Sequence, residues 1–509
     1  MSHRCCPWVT AAALSLLLAA CASTAPSRPG PAAAEAATEA ARRSGIVIGI
    51  RDASRAQALY LLEQASLWRQ DMPRTFQRAL DDLVGLDSET RTLLRKFAFI
   101  RNDLAERERR QLIKPTFAEP CGSSGLWPPG HPGLVEKFWQ AVLDCQQAGD
   151  LPRRLAGLLP AADASLVTRA LARITELVPQ VVSRPADWNS ELDGFGRRLS
   201  TARLGSLLDR FAAFLGVDSG GLRFTVLPVW APEDADLAAA AYGDNIVVTV
   251  RQDEKPGLEH ALLVLHEVGR RLLARLPTSV KVRLSAIFVE SAGHRGAGFE
   301  LAEALLDAFS HGLAARLLDA ERAAKIAWPG DTRRQRLART TTGLLRQALD
   351  TQARLDARFV KRLARLQLET NPPRPSDFLT GAMVIGSSAA IAAFRSQVVR
   401  WTVWKFPIGR RYNYPRKLDA NAGRTVLCIL TPRDLKRLFP LVNTVKPLHQ
   451  ALQRAAVRLK RGQGVVVAVP RRARGFVFVV AAPSPEKMKI AARAFFALKQ
   501  VPRKDVVVE

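Results

Sequence analysis

Long apolar runs and recognisable catalytic motifs are scarce in this 509-residue chain. Beyond the first twenty residues no stretch offers eighteen unbroken apolar residues, so no later segment is expected to cross a membrane. Neither a P-loop nor a G-x-S-x-G elbow occurs, and no spacing of Ser, His and Asp marks a catalytic triad. These absences remove the P-loop nucleotide-binding proteins and the α/β-hydrolases from consideration.

Cysteine is too scarce for a disulfide-rich scaffold. Six cysteines occur in the chain, and three of them lie within its first 21 residues. The remaining three are Cys121, Cys145 and Cys428. In an oxidising compartment a Cys121–Cys145 disulfide would enclose a loop rich in glycine and proline, and three free buried thiols are the alternative. Spacing alone leaves both open.

The first twenty residues are typical of an export signal. Arg4 provides a short basic start, and Val9–Ala20 is an apolar run too short to span a bilayer. The run leads into Leu-Ala-Ala-Cys21, which resembles the bacterial lipobox, where the signal is cut before a cysteine that then carries acyl chains. We predict a lipoprotein signal peptide over residues 1–20 and lipidation of Cys21. An ordinary cleaved signal peptide is the alternative.

The predicted anchor implies a location. Ala22, rather than aspartate, follows Cys21, which in enterobacteria-like sorting indicates the outer membrane. Several acyl chains anchor a protein firmly. We therefore expect an outer-membrane protein that contacts the bilayer through Cys21 and faces the periplasm. Residues 21–45 have almost no large apolar side chains and are predicted to form a flexible tether.

Positive charge is concentrated at the C-terminal end of the chain. The formal net charge is +28 at pH 7. Residues 381–509 contain 25 Lys and Arg against 5 Asp and Glu, whereas residues 221–330 contain 12 against 14. A charge segregated in this way bears on partners rather than on fold. It favours an anionic lipid, lipopolysaccharide or an acidic polymer, while the expected periplasmic location argues against nucleic acid. No protein partner is indicated.

Hydrophobic periodicity predicts a multidomain α+β protein. Apolar residues recur at three- and four-residue intervals through most of residues 46–220, which is typical of a helical domain. Strand and helix patterns mix in a second domain over 221–330. An arginine-rich helical connection, 331–380, leads to a small basic α/β domain, 381–509.

The mixed domain has a definite order of elements. Strands are predicted at 222–230 and 245–250, joined by a polar loop. Helices are predicted at 257–275 and 298–318, and the second of them carries several acidic residues.

The first of these helices contains most of a zinc-binding motif. In H-E-x-x-H, two histidines four residues apart share a helix face and bind Zn²⁺, and the glutamate polarises the metal-bound water. Here His266 and Glu267 occupy the first two positions, and Arg270 occupies the position of the second histidine. Arginine keeps its proton in proteins, so it has no lone pair for a metal.

The surroundings of this motif resemble the gluzincin group of zinc metallopeptidases. Over roughly residues 222–320 the order strand, loop, strand, helix and acidic second helix is that of gluzincins. The segment Ala302–Leu305 is similar to the one around their third zinc ligand. The resemblance implies an edge strand beside the motif helix that pairs with extended substrate.

The resemblance also implies roles for four residues. His266 matches the first zinc ligand, Glu267 the general base and Glu303 the third ligand, while Arg270 replaces the second ligand. Two protein ligands would remain, one fewer than catalytic zinc normally has.

The other histidines are poor replacements for the missing ligand. His260 lies six residues before His266, so it points elsewhere. His311 lies eight residues past Glu303, about 12 Å along the helix axis. His294, in a loop-like stretch, is the one flexible candidate.

The simplest hypothesis is that one positive charge has replaced another. A guanidinium from Arg270 near Glu267 and Glu303 would neutralise carboxylates that zinc once balanced. The sequence then predicts an inactive gluzincin-like domain, without a cofactor, in a protein that acts in binding or scaffolding. Two alternatives stay open: an active periplasmic zinc metallopeptidase with an atypical ligand set and Glu267 as its base, or a binder of anionic polymers in which His266 is incidental.

Cations and aromatic residues are interleaved in the basic C-terminal domain. The segment Trp401–Lys417 combines tryptophan, phenylalanine and tyrosine with lysine and arginine, which suits stacking on rings and binding of anions. The alternative is that the aromatics are core residues and the arginines are solvated. A second arginine cluster lies between two predicted strands. The candidate anion-binding residues are Arg410, Arg411, Arg416, Lys417, Arg471, Arg472 and Arg474.

Overall fold

A computed structural model describes most of the chain from residue 45 to residue 508. Its gaps are residues 52, 69–73, 114–131, 146, 183–186, 234, 253, 293–297, 327–332, 380–381, 393–403, 407, 409–415, 417, 419–424 and 472–474. Residues Ile46–Glu509 belong to one compact unit. The predicted signal peptide, Cys21 and all of the tether except Gly45 lie outside the described residues.

The N-terminal part of the described chain is mainly helical. After β1 (Val47–Ile50) it contains α1 (Ser54–Ser66), α2 (Thr75–Val84), α3 (Ser88–Ile113), α4 (Leu134–Leu143), a 3₁₀ turn (Ala148–Asp150), α5 (Leu151–Leu155), α6 (Ala161–Val181), α7 (Trp188–Leu199) and α8 (Ala202–Leu215).

The middle part mixes strands and helices. It contains β2 (Arg223–Ala231), β3 (Ala239–Tyr242), β4 (Asn245–Arg251), α9 (Leu258–Ala274), α10 (Thr278–Ala292), α11 (Gly298–Asp307), a π-helical segment (Ala308–Ala314), α12 (Ala315–Leu318), α13 (Ala320–Ile326), α14 (Arg333–Asp350) and α15 (Ala357–Thr370).

The C-terminal part alternates strands and helices. It contains a 3₁₀ turn (Pro375–Phe378), β5 (Met383–Gly386), α16 (Ser388–Ala392), β6 (Trp404–Phe406), β7 (Val426–Leu430), α17 (Pro432–Leu438), a 3₁₀ turn (Phe439–Leu441), α18 (Lys446–Lys460), β8 (Gly464–Pro470), β9 (Phe476–Ala481), α19 (Pro485–Ala497) and β10 (Val506–Val508).

The first sheet has the strand order β1-β2-β4-β3, with β3 antiparallel to β4 and the other pairs parallel. Both faces are covered. Val226 and Val248 point into a core shared with α8 to α11, α14 and α15, whereas Leu227 and Val247 point into a core built by helices α1 to α6. Burial on both sides explains why β2 and β4 are continuous apolar runs rather than alternating ones.

The second sheet has the order β10-β8-β9-β7-β5-β6. Strands β6, β5, β7 and β9 are parallel, and β8 and β10 are antiparallel additions. Along β7, Val426 and Cys428 point into a core with α17 and α18, while Leu427 and Ile429 point into a core with α19. The period of two along a strand places successive residues in opposite cores.

The coarse prediction is confirmed: the fold mixes helices with two small sheets and is mostly helical, which is compatible with α+β. The predicted strands at 222–230 and 245–250 and the helix at 257–275 are present with small shifts at their ends. The domain boundaries stay predictions of the sequence.

Several elements differ from the prediction. Residues 191–215, which the hydrophobic periodicity predicts as one helix, belong to α7 and α8 instead, because Thr201 caps α8 by accepting a hydrogen bond from the Leu204 amide. Strand β3 lies in the expected loop, and its alanine-rich sequence has little strand preference of its own. It forms because a turn at Gly243, whose φ is 64°, folds it back onto β4.

Two further observations concern the cysteines and the membrane. Cys145 and Cys428 are buried free thiols, whereas Cys121, the other half of the disulfide that the sequence left open, lies outside the described residues. The Cys145 thiol donates to the Gln147 carbonyl at 2.9 Å. Within the described ranges, no helix combines the length and the apolar character that crossing a bilayer requires.

Candidate functional site

Helix α9 places the motif residues at a cleft shared with α11. Its apolar face packs on the first sheet, and His266 and Glu267 are each 8% exposed. Gly269 lies where α9 meets α11: a Cβ there would be 2.9 Å from Leu306 Cδ2. Glycine therefore allows the two helices to approach closely, which brings their polar residues together.

Arg270 contacts both carboxylates that the sequence assigned to it. Its Nε lies 3.3 Å from Glu267 Oε1, and its terminal Nη2 lies 3.1 Å from Glu303 Oε1 and 3.2 Å from Oε2. The guanidinium therefore bridges α9 and α11. Its side chain is 39% exposed, so it lies at the open edge of the cleft.

His266 is surrounded by acids. Its Nδ1 lies 3.5 Å from Glu267 Oε1, and its Nε2 lies 3.4 Å from both Glu303 Oε2 and Asp307 Oδ1. These are ion-pair distances, and Nε2 makes no hydrogen bond within the described structure. Burial alone would lower the pKa of His266, but the surrounding carboxylates outweigh it and raise that pKa to about 10. The imidazole is therefore protonated at neutral pH.

A second arginine reaches the same carboxylates from another helix. Arg334, in the first turn of α14, places its Nε 2.6 Å from Asp307 Oδ2 and its Nη1 3.7 Å from Glu303 Oε2. Burial raises the pKa of Glu303 and of Asp307, but the positive charges around them lower both pKa values overall. Both carboxyl groups are therefore ionised at neutral pH.

The charges in this cluster balance. Three carboxylates face two guanidiniums and one imidazolium. We call these six residues the ion-pair cluster: Glu267, Glu303, Asp307, Arg270, Arg334 and His266.

The donor set does not fit a zinc ion. A catalytic zinc site needs three protein ligands with free lone pairs. Arg270 has none, and its guanidinium holds Glu303 by two contacts. Within the described residues, no three His, Cys, Asp or Glu side chains are arranged to hold a metal.

The remaining histidines take different positions. His260 accepts a hydrogen bond from the Gly257 amide at the start of α9, away from the cluster, as its spacing predicts. His311 lies nearer than its distance from Glu303 suggests, with Nδ1 4.0 Å from Asp307 Oδ1. The reason is that Asp307, one turn beyond Glu303, belongs to the cluster itself. His294 lies outside the described residues.

Edge strand β3, beside α9, already makes contacts with side chains of α9 and α4. Arg271 donates a hydrogen bond to the Ala241 carbonyl on edge strand β3, and its Nη1 lies 2.7 Å from Glu136 Oε1 on α4. Glu136 also accepts from the Gly243 amide at 3.0 Å. The Tyr242 ring stacks on a tryptophan of α4 with centroids 4.3 Å apart. Helix α4 and Arg271 therefore cover part of this strand edge.

Of the seven residues predicted to bind anions, two belong to the described residues. Arg410, Arg411, Lys417, Arg472 and Arg474 lie outside the described residues. Arg416 is exposed, and Arg471 donates a hydrogen bond to the Leu418 carbonyl.

Sequence reasoning missed two members of the cluster. Asp307 carried a signal, because it lies four residues past Glu303 and so shares its helix face. Arg334 carried none: it lies on a later helix, and only the packing of α14 against α11 brings it to the cleft.

Comparison with known proteins adds no relative to these observations. No protein-family model matches the chain, and no curated protein or solved structure is detectably similar to it.

Proposed function

We propose that this chain is a lipid-anchored envelope protein whose gluzincin-like domain is catalytically inactive and acts in binding or scaffolding. One observation carries the proposal. Arg270, in the position of the second zinc ligand, makes ion pairs with Glu267 and Glu303, the residues that the resemblance assigns as base and third ligand. A base neutralised in this way and a ligand held by a guanidinium are engaged in structural contacts.

A second observation supports inactivity. In the proposed ancestor, an extended peptide pairs with the edge strand beside the motif helix. Here the Ala241 carbonyl of β3 accepts a hydrogen bond from Arg271, which Glu136 holds in place. A peptide that paired with this part of β3 would have to displace Arg271. Part of the strand edge is therefore already engaged by contacts within the chain, which supports inactivity.

The finer organisation is part of the same proposal. It comprises a lipoprotein signal over residues 1–20, an acylated Cys21 in the outer membrane, a helical domain, the gluzincin-like domain and a basic C-terminal domain that attracts anionic lipid, lipopolysaccharide or acidic polymer. The charge of residues 381–509, with 25 Lys and Arg against 5 Asp and Glu, supports the last part. The lipobox-like sequence before Cys21 supports the first.

Zinc content tests the proposal directly. Purified wild-type protein, dialysed against zinc and measured by atomic spectroscopy, should hold far less than one equivalent. Arg270→His restores an imidazole at the second ligand position and should raise zinc towards one equivalent. Arg275→His is the matched control, because it adds a histidine at the C-terminal cap of the same helix, where Arg275 pairs with the exposed Asp244. It should leave zinc unchanged.

Cleavage of a peptide library tests the same point by activity. Wild type and Glu267→Ala should be equally inactive. Stoichiometric zinc in wild type, or cleavage that Glu267→Ala abolishes, would show an active metallopeptidase with an atypical ligand set. Failure of Arg270→His to gain zinc, with a normal melting temperature, would remove the support for gluzincin ancestry.

A further inference from the structure

Helices α14 and α15 line a surface groove that shares no residue with the ion-pair cluster. The groove has a volume of about 320 Å³, at the lower end of the range for small-molecule sites. Leu344 and Leu366 are its apolar lining, and Thr340 and Gln347 provide polar groups from α14. Helix α15 contributes two charged residues to the lining, Arg362 and Arg365.

Gly343 keeps this groove open. It is an exposed position in the middle of α14, where glycine is less favourable than alanine by about 1 kcal/mol. A Cβ built on it would meet no atom within 4 Å. Close packing therefore does not require a glycine here, and the missing side chain leaves space at the groove.

The two arginines of the groove have no carboxylate partner in the described part of the chain. Arg362 donates only to the Gln347 side-chain oxygen, at 3.2 Å, and Arg365 makes no ion pair with Glu369, one turn further along α15. Arg358, one turn before Arg362, is also exposed and unpaired there. A line of guanidiniums thus runs along one face of α15.

The pair of helices α14 and α15, with the connection between them, is strongly cationic. Residues 333–370 contain ten Lys and Arg against three Asp and Glu. Two of these acids are occupied: Asp350 pairs with Arg210, and Asp356 caps α15 through the Phe359 amide. An anion that approaches the groove therefore meets little competing negative charge.

We propose that the α14–α15 groove binds a phosphate ester that carries an apolar group. Guanidiniums at Arg362 and Arg365 donate to the phosphate oxygens, and Leu344 and Leu366 contact the apolar part. Arginine is suited to phosphate because its planar fork can donate two parallel hydrogen bonds. The ester is either a phospholipid headgroup in a bilayer or a soluble organic phosphate. The inference does not depend on the state of the zinc-like cleft.

Calorimetric titration of the full chain with dihexanoyl phosphatidylglycerol, below its micellar concentration, tests the site. Wild type should bind one molecule saturably, and dihexanoyl phosphatidylcholine should bind at least about tenfold more weakly, because its net charge is zero. Arg365→Gln should weaken binding about tenfold. Gly343→Leu introduces a good helix former whose side chain fills the groove, so it should weaken binding at least as much.

Arg354→Gln is the matched control, because it removes the same charge from the exposed connection between the helices. Its affinity should stay within about twofold of wild type, since it makes no direct contact. Equal weakening by Arg354→Gln and Arg365→Gln would show diffuse attraction and overturn the site. Unchanged binding in Gly343→Leu, or no saturable binding at all, would overturn it as well.

A second experiment, with lipid vesicles, distinguishes a phospholipid headgroup in a bilayer from a soluble organic phosphate. Vesicles of phosphatidylethanolamine and phosphatidylglycerol are sedimented with each variant. If Arg365→Gln and Gly343→Leu reduce sedimentation more than Arg354→Gln does, the groove takes a headgroup from the bilayer. If they weaken only the short-chain lipid, the groove takes a soluble organic phosphate.

Discussion

Two groups of arginines, both beside helix α14, differ in how their charge is satisfied. In the ion-pair cluster, Arg270 and Arg334 contact carboxylates at 2.6 to 3.7 Å. In the α14–α15 groove, Arg362 and Arg365 have no carboxylate partner among the described residues. Helix α14 contributes the paired Arg334 to the cluster from its first turn, and from its middle it contributes Gly343, which borders the groove.

The difference separates structural charge from charge available to a ligand. In the cluster, His266, Glu267 and Asp307 are buried, and a buried ion that already has its partners gains little from a new one. Arg270 and Arg334 are partly exposed, but both are already paired with carboxylates of the cluster. An exposed guanidinium without a carboxylate partner can bind an anion without breaking an existing contact. We infer that the cluster stabilises the packing of α9, α11 and α14, whereas the groove is open to a ligand.

Removing one acid from the cluster should have the largest effect. Asp307 is 3% exposed and contacts both His266 and Arg334. Asp307→Asn keeps the shape but leaves an excess positive charge, so we expect a loss of about 3 kcal/mol in the free energy of unfolding by urea. In the exposed pair with Arg210, Asp350→Asn should cost less than about 0.5 kcal/mol. Similar losses in the two variants would mean that the cluster is solvated.

The pH dependence of stability should show a smaller effect of the same cluster. The pKa of His266 is about 10 in the folded protein, against 6.5 for an unperturbed histidine. Because the folded pKa is the higher one, the stabilisation is complete below pH 6.5 and is lost as pH rises towards 10. We expect a loss of about 2 kcal/mol between about pH 7 and pH 9, measured by urea unfolding.

Two histidine variants test that assignment. His266→Gln should remove most of the alkaline loss. His260→Gln is the matched control, because burial lowers the pKa of His260, so its contribution is lost towards acid rather than towards alkali. An alkaline loss that persists in His266→Gln would assign it to another group.

The sequence predicts three strands of the second sheet, at 424–430, 464–470 and 475–482, but it does not predict the edge strand β3 of the first sheet. Strands β7, β8 and β9 are β-branched runs with both faces buried, so their composition identifies them. Strand β3 is Ala-Ala-Ala-Tyr242, and only its pairing with β4 makes it a strand.

The site shows the same division between local and distant information. The sequence predicted Arg270 beside Glu267, three residues before it on the same helix, and the two side chains lie 3.3 Å apart. The distance between Arg334 and Glu303 is set by packing of separate helices, which periodicity does not encode. The sequence also missed the groove arginines, which have no carboxylate partner among the described residues, because ion pairing can be judged only after the partners are placed.

A pair of glycine variants compares packing at two neighbouring positions of helix α14, Thr342 and Gly343. Gly312 packs on α14, where a Cβ would lie 2.2 Å from Thr342 Oγ1 and 3.0 Å from Thr342 Cβ. The branched Thr342 is buried, so Gly312→Ala should cost about 2 kcal/mol. Gly343, the residue after Thr342, faces open space. Gly343→Ala should therefore raise the free energy of unfolding by up to about 1 kcal/mol through helix propensity. Thermal unfolding gives the sign of both, and a lower melting temperature in Gly343→Ala would show that the groove is filled by the chain itself.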